Sequence, residues 1–307
     1  MVEEPTTLTR PPRRHRPRPS RSRLLLRRAL ALGFVLGVVA LLVASAMAVL
    51  GGGEEQAAPP PAPPPPKTCN IAFPEGFTRN EMAEKITANA AAAERECGFR
   101  SPLSSVRYLA LTAGAPTVPA QFTTDGKPPR FEGFLFPATY EFTKRTTTRR
   151  LVNAQLTAFR KNWAKVNIRY ARSKNLTAYD VLIIASMVEK EVIAPEERPL
   201  VAAVVYNRLR AGMTLGIDAT IRYGLGVAPT ESLRESHLAD LNPYNTRKHA
   251  GLPPTPIANP GLASMQAAAH PAKVDYLFFV RKPDKVHHFF TASEREFVNY
   301  KNAHGYR

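Results

Sequence analysis

The chain has 307 residues, of which 44% are apolar, and a formal net charge of +17 at pH 7. This length allows a membrane segment with one or two modest globular domains and excludes a large multidomain assembly. Nine arginines lie between Met1 and Arg28, so much of the positive charge belongs to one short segment.

Residues 1–28 are rich in arginine and proline, which predicts a disordered tail without a core of its own. A basic tail of this kind can bind nucleic-acid phosphates. An apolar segment follows at once, however, so contact with anionic lipid headgroups is the simpler interpretation, and we predict no nucleic-acid partner.

Residues 29–50 form an uncharged apolar stretch of 22 residues. As a helix it would span roughly 33 Å, enough to cross a bilayer. A cleaved signal peptide is the alternative, although its apolar region is usually shorter. With arginines on the N-terminal side, the positive-inside rule predicts a single span in the plasma membrane, a cytoplasmic N-terminus and an extracytoplasmic remainder.

Residues 51–67 are rich in glycine and proline and are predicted to be a linker. Residues 68–125 are predicted to be a small module with a short strand, a turn and a helix capped by Thr78. Cys69 and Cys97 lie in this module. They form a candidate disulfide in an oxidising compartment, and two free thiols are the alternative.

The segment FEGFLFPATYEF, residues 131–142, surrounds Glu132 with aromatic side chains. Aromatic rings in an irregular segment can stack on sugars, and a carboxylate can accept hydrogen bonds from sugar hydroxyls. A buried core strand explains the same residues equally well.

A helix is predicted from Thr177, which forms a capping signal with Asp180, to about Val192. Its apolar residues cover almost all sides, so the helix is expected to be buried, and burial raises the pKa of a carboxyl group. Glu189 and Glu191 are separated by roughly 200° around the helix axis, so they cannot act as a pair on one substrate.

A second helix is predicted to begin near Pro195, with Glu196 and Glu197 as charges of its first turn. Near the C-terminus, residues 276–290 are predicted to form a β-hairpin, followed by a helix whose capping box begins at Thr291. The adjacent residues His287 and His288 would point to opposite faces of a strand, so we predict no metal site and no cofactor.

Five ordered motifs carry a resemblance to a known family: ASMVEKE, VYNRLRAGMTL, DATIRYGLG, NPYNTRKHAGLPPTPIANPG and AAAHPAKVDYLFFV. Together with EGFLFPATY they closely resemble the YceG-like family of endolytic murein transglycosylases. The resemblance implies an α+β fold in which residues 68–125 are a LysM-like module and residues 126–307 a mixed α/β catalytic domain. It also implies a membrane-anchored enzyme that acts on peptidoglycan strands near the peptidoglycan synthases.

The resemblance places the catalytic acid at Glu191, the second acid of the EKE motif, with Glu189 as the alternative. It implies non-hydrolytic cleavage of the β-1,4 bond between N-acetylmuramic acid and N-acetylglucosamine, with one carboxyl acting as acid and then as base. The candidate substrate-binding residues are Glu132, Asn207, Arg208, Asp218, Tyr223, Tyr244 and Asn245.

The sequence departs from the family pattern at Ala138, Gly216, Ala219 and Phe297. These positions put substrate contacts in question. Two other hypotheses therefore stay open beside the enzyme: a glycan-binding scaffold of the same fold with weakened catalysis, and a protein that binds nucleic acid or headgroups through its basic tail.

Overall fold

The computed structural model describes residues 21–50, 66–123 and 130–306. The chain divides into two units, Met1–Pro64 and Pro65–Arg307. The predicted tail at 1–28 and linker at 51–67 lie largely outside the described residues.

In the first unit the structure describes helix α1, Arg21–Leu50. Its segment Leu25–Val49 has a mean hydropathy of 2.6 and is long and apolar enough to cross a membrane. The Ser45 hydroxyl donates a hydrogen bond to the Leu41 carbonyl at 2.7 Å, so the helix satisfies this polar side chain itself. The predicted apolar helix is therefore present and begins before residue 29.

The second unit contains short strands and many helices. Its strands are β1 (Thr68–Ala72), β2 (Thr139–Thr143), β3 (Phe278–Arg281) and β4 (His288–Thr291). Its helices are α2 (Arg79–Cys97), α3 (Ser105–Leu111), α4 (Thr148–Trp163), α5 (Arg169–Arg172), α6 (Ala178–Glu191), α7 (Arg198–Arg210), α8 (Asp218–Leu225), α9 (Glu235–Ala239), α10 (Leu262–Ala269) and α11 (Glu294–Ala303). Short 3-10 turns occur at Ala120–Phe122 and Pro195–Glu197.

The first segment of this unit is joined to the remainder by a sheet and by the core. Strand β1 pairs antiparallel with β2, so that Cys69 lies opposite Phe142 and Ile71 opposite Tyr140. Side chains from both segments belong to one hydrophobic cluster. The boundary predicted at residues 125 and 126 lies in the undescribed range 124–129, and the residues on its two sides form one compact unit.

Helix α2 begins as its sequence predicts. The Thr78 side chain accepts a hydrogen bond from the Glu81 amide, and the Glu81 carboxylate accepts one from the Thr78 amide. The other end of the helix carries Cys97, which forms a disulfide with Cys69 at a Cα–Cα distance of 5.8 Å. Strand β1 and helix α2 are thus held together by a covalent bond as well as by packing.

Helix α6 lies at the centre of the core. It has the predicted Thr177 capping box, and its residues from Ala178 to Val188 are all buried except Asp180. It packs on α10 and α7, so it is enclosed by helices that come later in the chain. The aromatic segment at 131–142 also contributes to the core, because Phe134 is fully buried against Phe122 and Phe159. Of the two interpretations of that segment, packing explains its aromatic residues.

Strands β3 and β4 pair antiparallel, with Phe279 opposite Phe290. Helix α11 follows, but its N-cap is Ser293, whose side chain accepts a hydrogen bond from the Glu296 amide. The predicted cap at Thr291 was therefore wrong, because Thr291 is the last residue of β4 and its hydroxyl binds the Glu296 carboxylate.

Candidate active site

A cleft of about 1310 Å³ opens at the C-terminal end of α6. Its walls come from α2, α7, α8, the β3–β4 hairpin and α11, so they combine residues from almost the full length of the second unit. Among the predicted site residues, those that line it are Glu132, Glu191, Arg208, Asp218, Tyr223 and Tyr244.

Glu191 is the last residue of α6. The preceding helix is buried, and only its end reaches the cleft, so Glu191 is partly accessible while protein encloses most of its side chain. Burial, as the largest cause, and the negative charge of Asp218 together raise the pKa of Glu191 to about 7, against the lowering effect of Arg281. A carboxyl with this pKa can both donate and accept a proton near neutral pH.

Asp218 begins α8 and is the nearest acid whose charge acts on Glu191. It accepts hydrogen bonds from Arg247 Nε at 2.9 Å and Nη2 at 2.7 Å. The pair is about half exposed. Asp218 therefore has an arginine partner of its own, whereas the described residues offer the Glu191 carboxyl a backbone N–H donor, that of Ala219.

Glu189 has different surroundings from Glu191. Its Oε2 accepts a hydrogen bond from the Gly261 amide, at the N-cap of α10, at a distance of 3.0 Å. It also packs beside Gly76, where an added Cβ would lie 3.4 Å from Glu189 Cγ. Glu189 lies outside the cleft, and the prediction that the two glutamates diverge is confirmed.

Glu132 lies in the cleft wall with only 6% of its surface exposed. Its carboxylate accepts hydrogen bonds from the Arg79 amide at 3.0 Å, from Asn259 Nδ2 at 2.7 Å and from the Tyr223 hydroxyl at 3.2 Å. Burial nevertheless raises the pKa of Glu132 to about 7. These protein donors occupy the carboxylate, so Glu132 anchors Tyr223 and the start of α2.

Tyr223 and Tyr244 form an aromatic pair in the cleft, with ring centroids 5.0 Å apart at 60°. The Tyr244 hydroxyl shares a 2.8 Å hydrogen bond with Thr255 Oγ1. Two rings fixed at their hydroxyl ends offer apolar faces and edges to a ligand.

Two predicted contact residues lie away from the cleft. Asn207 donates hydrogen bonds from Nδ2 to the carbonyls of Val274 and Tyr276 and borders a separate cavity of about 550 Å³. Asn245 is fully buried, and its Nδ2 donates to the carbonyls of Leu238 and Asp240. The contacts of both residues hold loops in place.

The sequence placed Glu197 at the start of α7, where it is the N-cap residue, but did not indicate its partner. Glu197 is buried and accepts hydrogen bonds from the His288 amide at 2.9 Å and from the His288 ring nitrogen Nδ1 at 2.6 Å. His288 is also buried and lines the cleft. The pair fixes the hairpin to the start of α7, a contact 91 residues apart in sequence that no local pattern could indicate.

Sequence reasoning also missed Arg247, Arg281 and Asn259. Arg281 Nη2 donates to the Glu191 backbone carbonyl at 3.1 Å. Asn259 is fully buried and accepts hydrogen bonds from the amides of Gly133 and Leu135 while it donates to Glu132. The segment around Asn259 was one of the motifs of the family resemblance, but nothing in it showed which residue holds the cleft wall.

The departures from the family pattern differ in position. Gly216, Ala219 and Phe297 line the cleft, and Ala138 does not. Ala138 contributes its carbonyl to a hydrogen bond from the Phe73 amide at 3.0 Å. Three of the four departures from the family pattern therefore lie where a ligand in the cleft would be.

Comparison with known proteins agrees with this fold and cleft. The model of the YceG-like family matches residues 47–303, and the chain belongs to this family. It is similar to a putative YceG-like protein from Listeria monocytogenes of known crystal structure, with a TM-score of 0.58 and 28% identity over 76% of each chain.

Two curated relatives carry the name endolytic murein transglycosylase. The one from Streptococcus pneumoniae R6 is 34% identical over 228 residues, which are 68% of this chain and 40% of the relative. The one from Bacillus subtilis 168 is 36% identical over 151 residues, which are 49% of this chain and 42% of the relative. The match thus spans about two fifths of the length of these relatives.

Proposed function

We propose that this chain is a membrane-anchored lytic transglycosylase that cleaves the β-1,4 bond between N-acetylmuramic acid and N-acetylglucosamine inside peptidoglycan strands. The observation that carries the proposal is Glu191, a carboxyl with a pKa of about 7 at the end of a buried helix and at the floor of a large cleft. The curated relatives named endolytic murein transglycosylases support the substrate class.

In the proposed reaction, neutral Glu191 donates its proton to the glycosidic oxygen as the bond to the muramic acid C1 breaks. The Glu191 carboxylate then removes the proton of the muramic C6 hydroxyl, whose oxygen bonds to C1 and closes a 1,6-anhydro ring. Asp218 raises the pKa of Glu191 and so favours the proton-donating state, while Arg281 and Arg247 stabilise the carboxylate that follows. A hydrolase would instead use two carboxyl groups, one as the general acid and the other either as the nucleophile or as the base that activates a water.

Helix α1 is proposed to be the anchor, with the arginines before it on the cytoplasmic side and the cleft outside the membrane. An anchored enzyme of this kind would reach strands near the membrane, where peptidoglycan synthases work. The substrate is proposed to be a nascent glycan strand.

The test is mass spectrometry of the products formed when the full chain in detergent acts on uncrosslinked strands, beside Glu191→Gln and Glu189→Gln. Anhydro ends from the wild type and from Glu189→Gln, but not from Glu191→Gln, are the expected result. Because the reaction starts from neutral Glu191, the rate should fall as the pH rises above about 7. Reducing ends would identify a hydrolase instead, and glycan binding without cleavage would identify a scaffold.

A further inference from the structure

Three arginines line the cleft that contains Glu191, and each comes from a different part of the fold. Arg208 lies on α7, Arg247 lies three residues after Tyr244, and Arg281 is the last residue of β3. The charges of Arg281 and Arg247 lower the pKa of Glu191, and the charge of Arg247 lowers the pKa of Arg208. The three guanidinium groups therefore act on the same region of the cleft.

These guanidinium groups have donors left over. A guanidinium carries five N–H donors. Arg208 donates from Nε to the Leu277 carbonyl at 2.6 Å and from Nη1 to the carbonyls of Thr214 and Leu215 at 3.1 and 2.8 Å. Its Nη2 has no hydrogen-bond acceptor within residues 66–123 and 130–306.

Arg281 also has N–H donors without a hydrogen-bond acceptor in the described residues. Its Nη2 donates to the Glu191 carbonyl, and its other two nitrogens make no hydrogen bond to the described part of the chain. Arg247 gives Nε and Nη2 to one oxygen of Asp218. Asp218 thus neutralises one of the three arginine charges. Glu191 neutralises none of them in its protonated form, which is the form that starts the proposed reaction.

Gly216 leaves the Arg208 guanidinium open. A Cβ at this position would lie 3.3 Å from Arg208 Nη1, so a larger side chain would crowd the group. Gly216 also has a φ of +66°, a conformation that other residues rarely adopt. The absence of a side chain at residue 216 therefore leaves the Arg208 guanidinium accessible from the cleft.

An excess of arginine charge selects a substrate that carries anions. The sugar backbone of peptidoglycan is neutral, and its anions are the carboxylates of the stem peptides. Arginine binds carboxylates through short charge-assisted hydrogen bonds, often two at a time. We propose that Arg208, Arg247 and Arg281 bind a stem-peptide carboxylate beside the scissile bond, so that the protein prefers strands with acidic stem peptides over strands whose peptides are amidated.

This inference rests on the proposed function and is tested with three forms of one strand preparation. The first form carries acidic stem peptides, and the second has the same peptides with amidated carboxylates. The third has had its peptides removed by an amidase, and the lactyl carboxylates that this hydrolysis frees have been converted to amides. All three lack the polyprenyl pyrophosphate of a nascent strand, so the peptide carboxylate is the only anion that differs. The full chain in detergent is used, and the initial rate of anhydro-end formation is measured at low substrate concentration.

We expect cleavage of acidic strands to be about tenfold faster than cleavage of amidated or denuded strands, as for the loss of one charge-assisted contact. The preference should shrink as salt is added, because part of this surface is exposed and screened. Equal rates on all three forms would overturn the inference and leave the proposed function standing. A preference shared by acidic and amidated strands would overturn it too, because recognition would then depend on the peptide and not on its charge. Absence of anhydro ends from every form would overturn both proposals.

Variants then assign the preference to the arginines. Arg281→Gln and Arg208→Gln should each lower the ratio of the rates on acidic and amidated strands from about ten towards one. The ratio is the readout because it cancels any change in the Glu191 pKa or in overall activity. Arg234→Gln is the matched control, because Arg234 is exposed, pairs with Glu231 and lies outside the cleft. An unchanged ratio in both cleft variants would overturn the assignment.

Discussion

The last turn of α6 carries two glutamates with opposite roles. Glu189 lies against Gly76 and accepts the Gly261 amide, in a region formed by the β1–α2 segment and the start of α10. Glu191 lies in the cleft, where burial and Asp218 raise its pKa to about 7. One face of this helix end thus packs against the protein, and the other carries the proposed catalytic acid, because side chains two residues apart on a helix point in nearly opposite directions.

The packed face contains a further acid. The pKa of Glu75 is raised by burial and by the charge of Glu189, and is lowered by Arg198. Its carboxylate occupies the space where a Cβ of residue 261 would lie, so a larger residue at 261 would require the Glu75 side chain to move. Glu189 is therefore enclosed by packing contacts, whereas Glu191 lines the cleft.

The largest expected effect concerns the cleft face. Glu191→Gln should lower the rate of anhydro-end formation by about 10² to 10⁴-fold, since it removes the proton that protonates the glycosidic oxygen. Glu189→Gln should keep the rate within about tenfold of the wild type under conditions where both are folded. Loss of activity in Glu189→Gln alone would reverse the assignment of the two faces.

The next effect tests the covalent frame of the packed face. The segment that contains Glu75 and Gly76 is closed by the disulfide between Cys69 and Cys97, which are 28 positions apart. Replacing both cysteines by serine should lower the free energy of unfolding by about 3–4 kcal/mol, mainly through the entropy of the unfolded chain. Urea unfolding of the double variant and of the oxidised wild type measures this difference. An unchanged midpoint would mean that packing alone holds the segment.

A smaller loss is expected from Glu189 itself. Glu189→Gln replaces a charged acceptor of the Gly261 amide by a neutral one, at a site that also holds Glu75. We expect the free energy of unfolding to fall by about 1 kcal/mol at pH 8. A gain in stability at pH 8 would show that repulsion from Glu75 outweighs the hydrogen bond.

The last expected effect is a gain in the free energy of unfolding, opposite in sign to the two losses above. Because the pKa of Glu191 is raised from 4.5 to about 7, the native state binds more protons than the unfolded state between these pH values. This group therefore makes stability fall as the pH rises through that window. Glu191→Gln removes the loss and should raise the free energy of unfolding by about 0.5–2 kcal/mol at pH 8.

The same variant should give little gain at pH 4, where Glu191 is protonated in both states of the wild type. Unfolding in urea at both pH values measures the difference. Glu132, whose pKa is also raised to about 7, remains in both proteins and cancels in the comparison. A Glu191→Gln variant that is less stable at pH 8 would show that the carboxylate is stabilised by Arg281 and Arg247 more than burial opposes it.

Much of the local structure followed from the sequence, since its signals lie within a few residues of each other. The Thr78 and Thr177 capping boxes, the buried character of α6 and the divergence of Glu189 and Glu191 are confirmed. The Ser293 cap was missed because two hydroxyl residues compete at the end of β4, and only the strand pairing shows which one lies outside the ladder.

The partners of the acids could not be predicted in the same way. Glu197 meets His288, Glu132 meets Asn259 and Asp218 meets Arg247, and each contact joins distant parts of the chain. Nothing within a few residues of an acid indicates which distant donor will face it. For the same reason Asn207 and Asn245 were grouped with the cleft by their motifs, while the fold directs their amides to loop carbonyls.

The sequence by itself determined the apolar helix at Leu25–Val49, the helix that carries the EKE motif and the resemblance that pointed to Glu191, because hydropathy, capping and motif order are properties of short segments. Only the tertiary structure decided that β1 joins β2 across the predicted boundary, that Glu132 accepts hydrogen bonds from protein donors and that three arginines line the cleft that contains Glu191. Burial and charge at a site depend on residues brought together from the whole second unit, so the chemistry of Glu191 is fixed by the fold that encloses it.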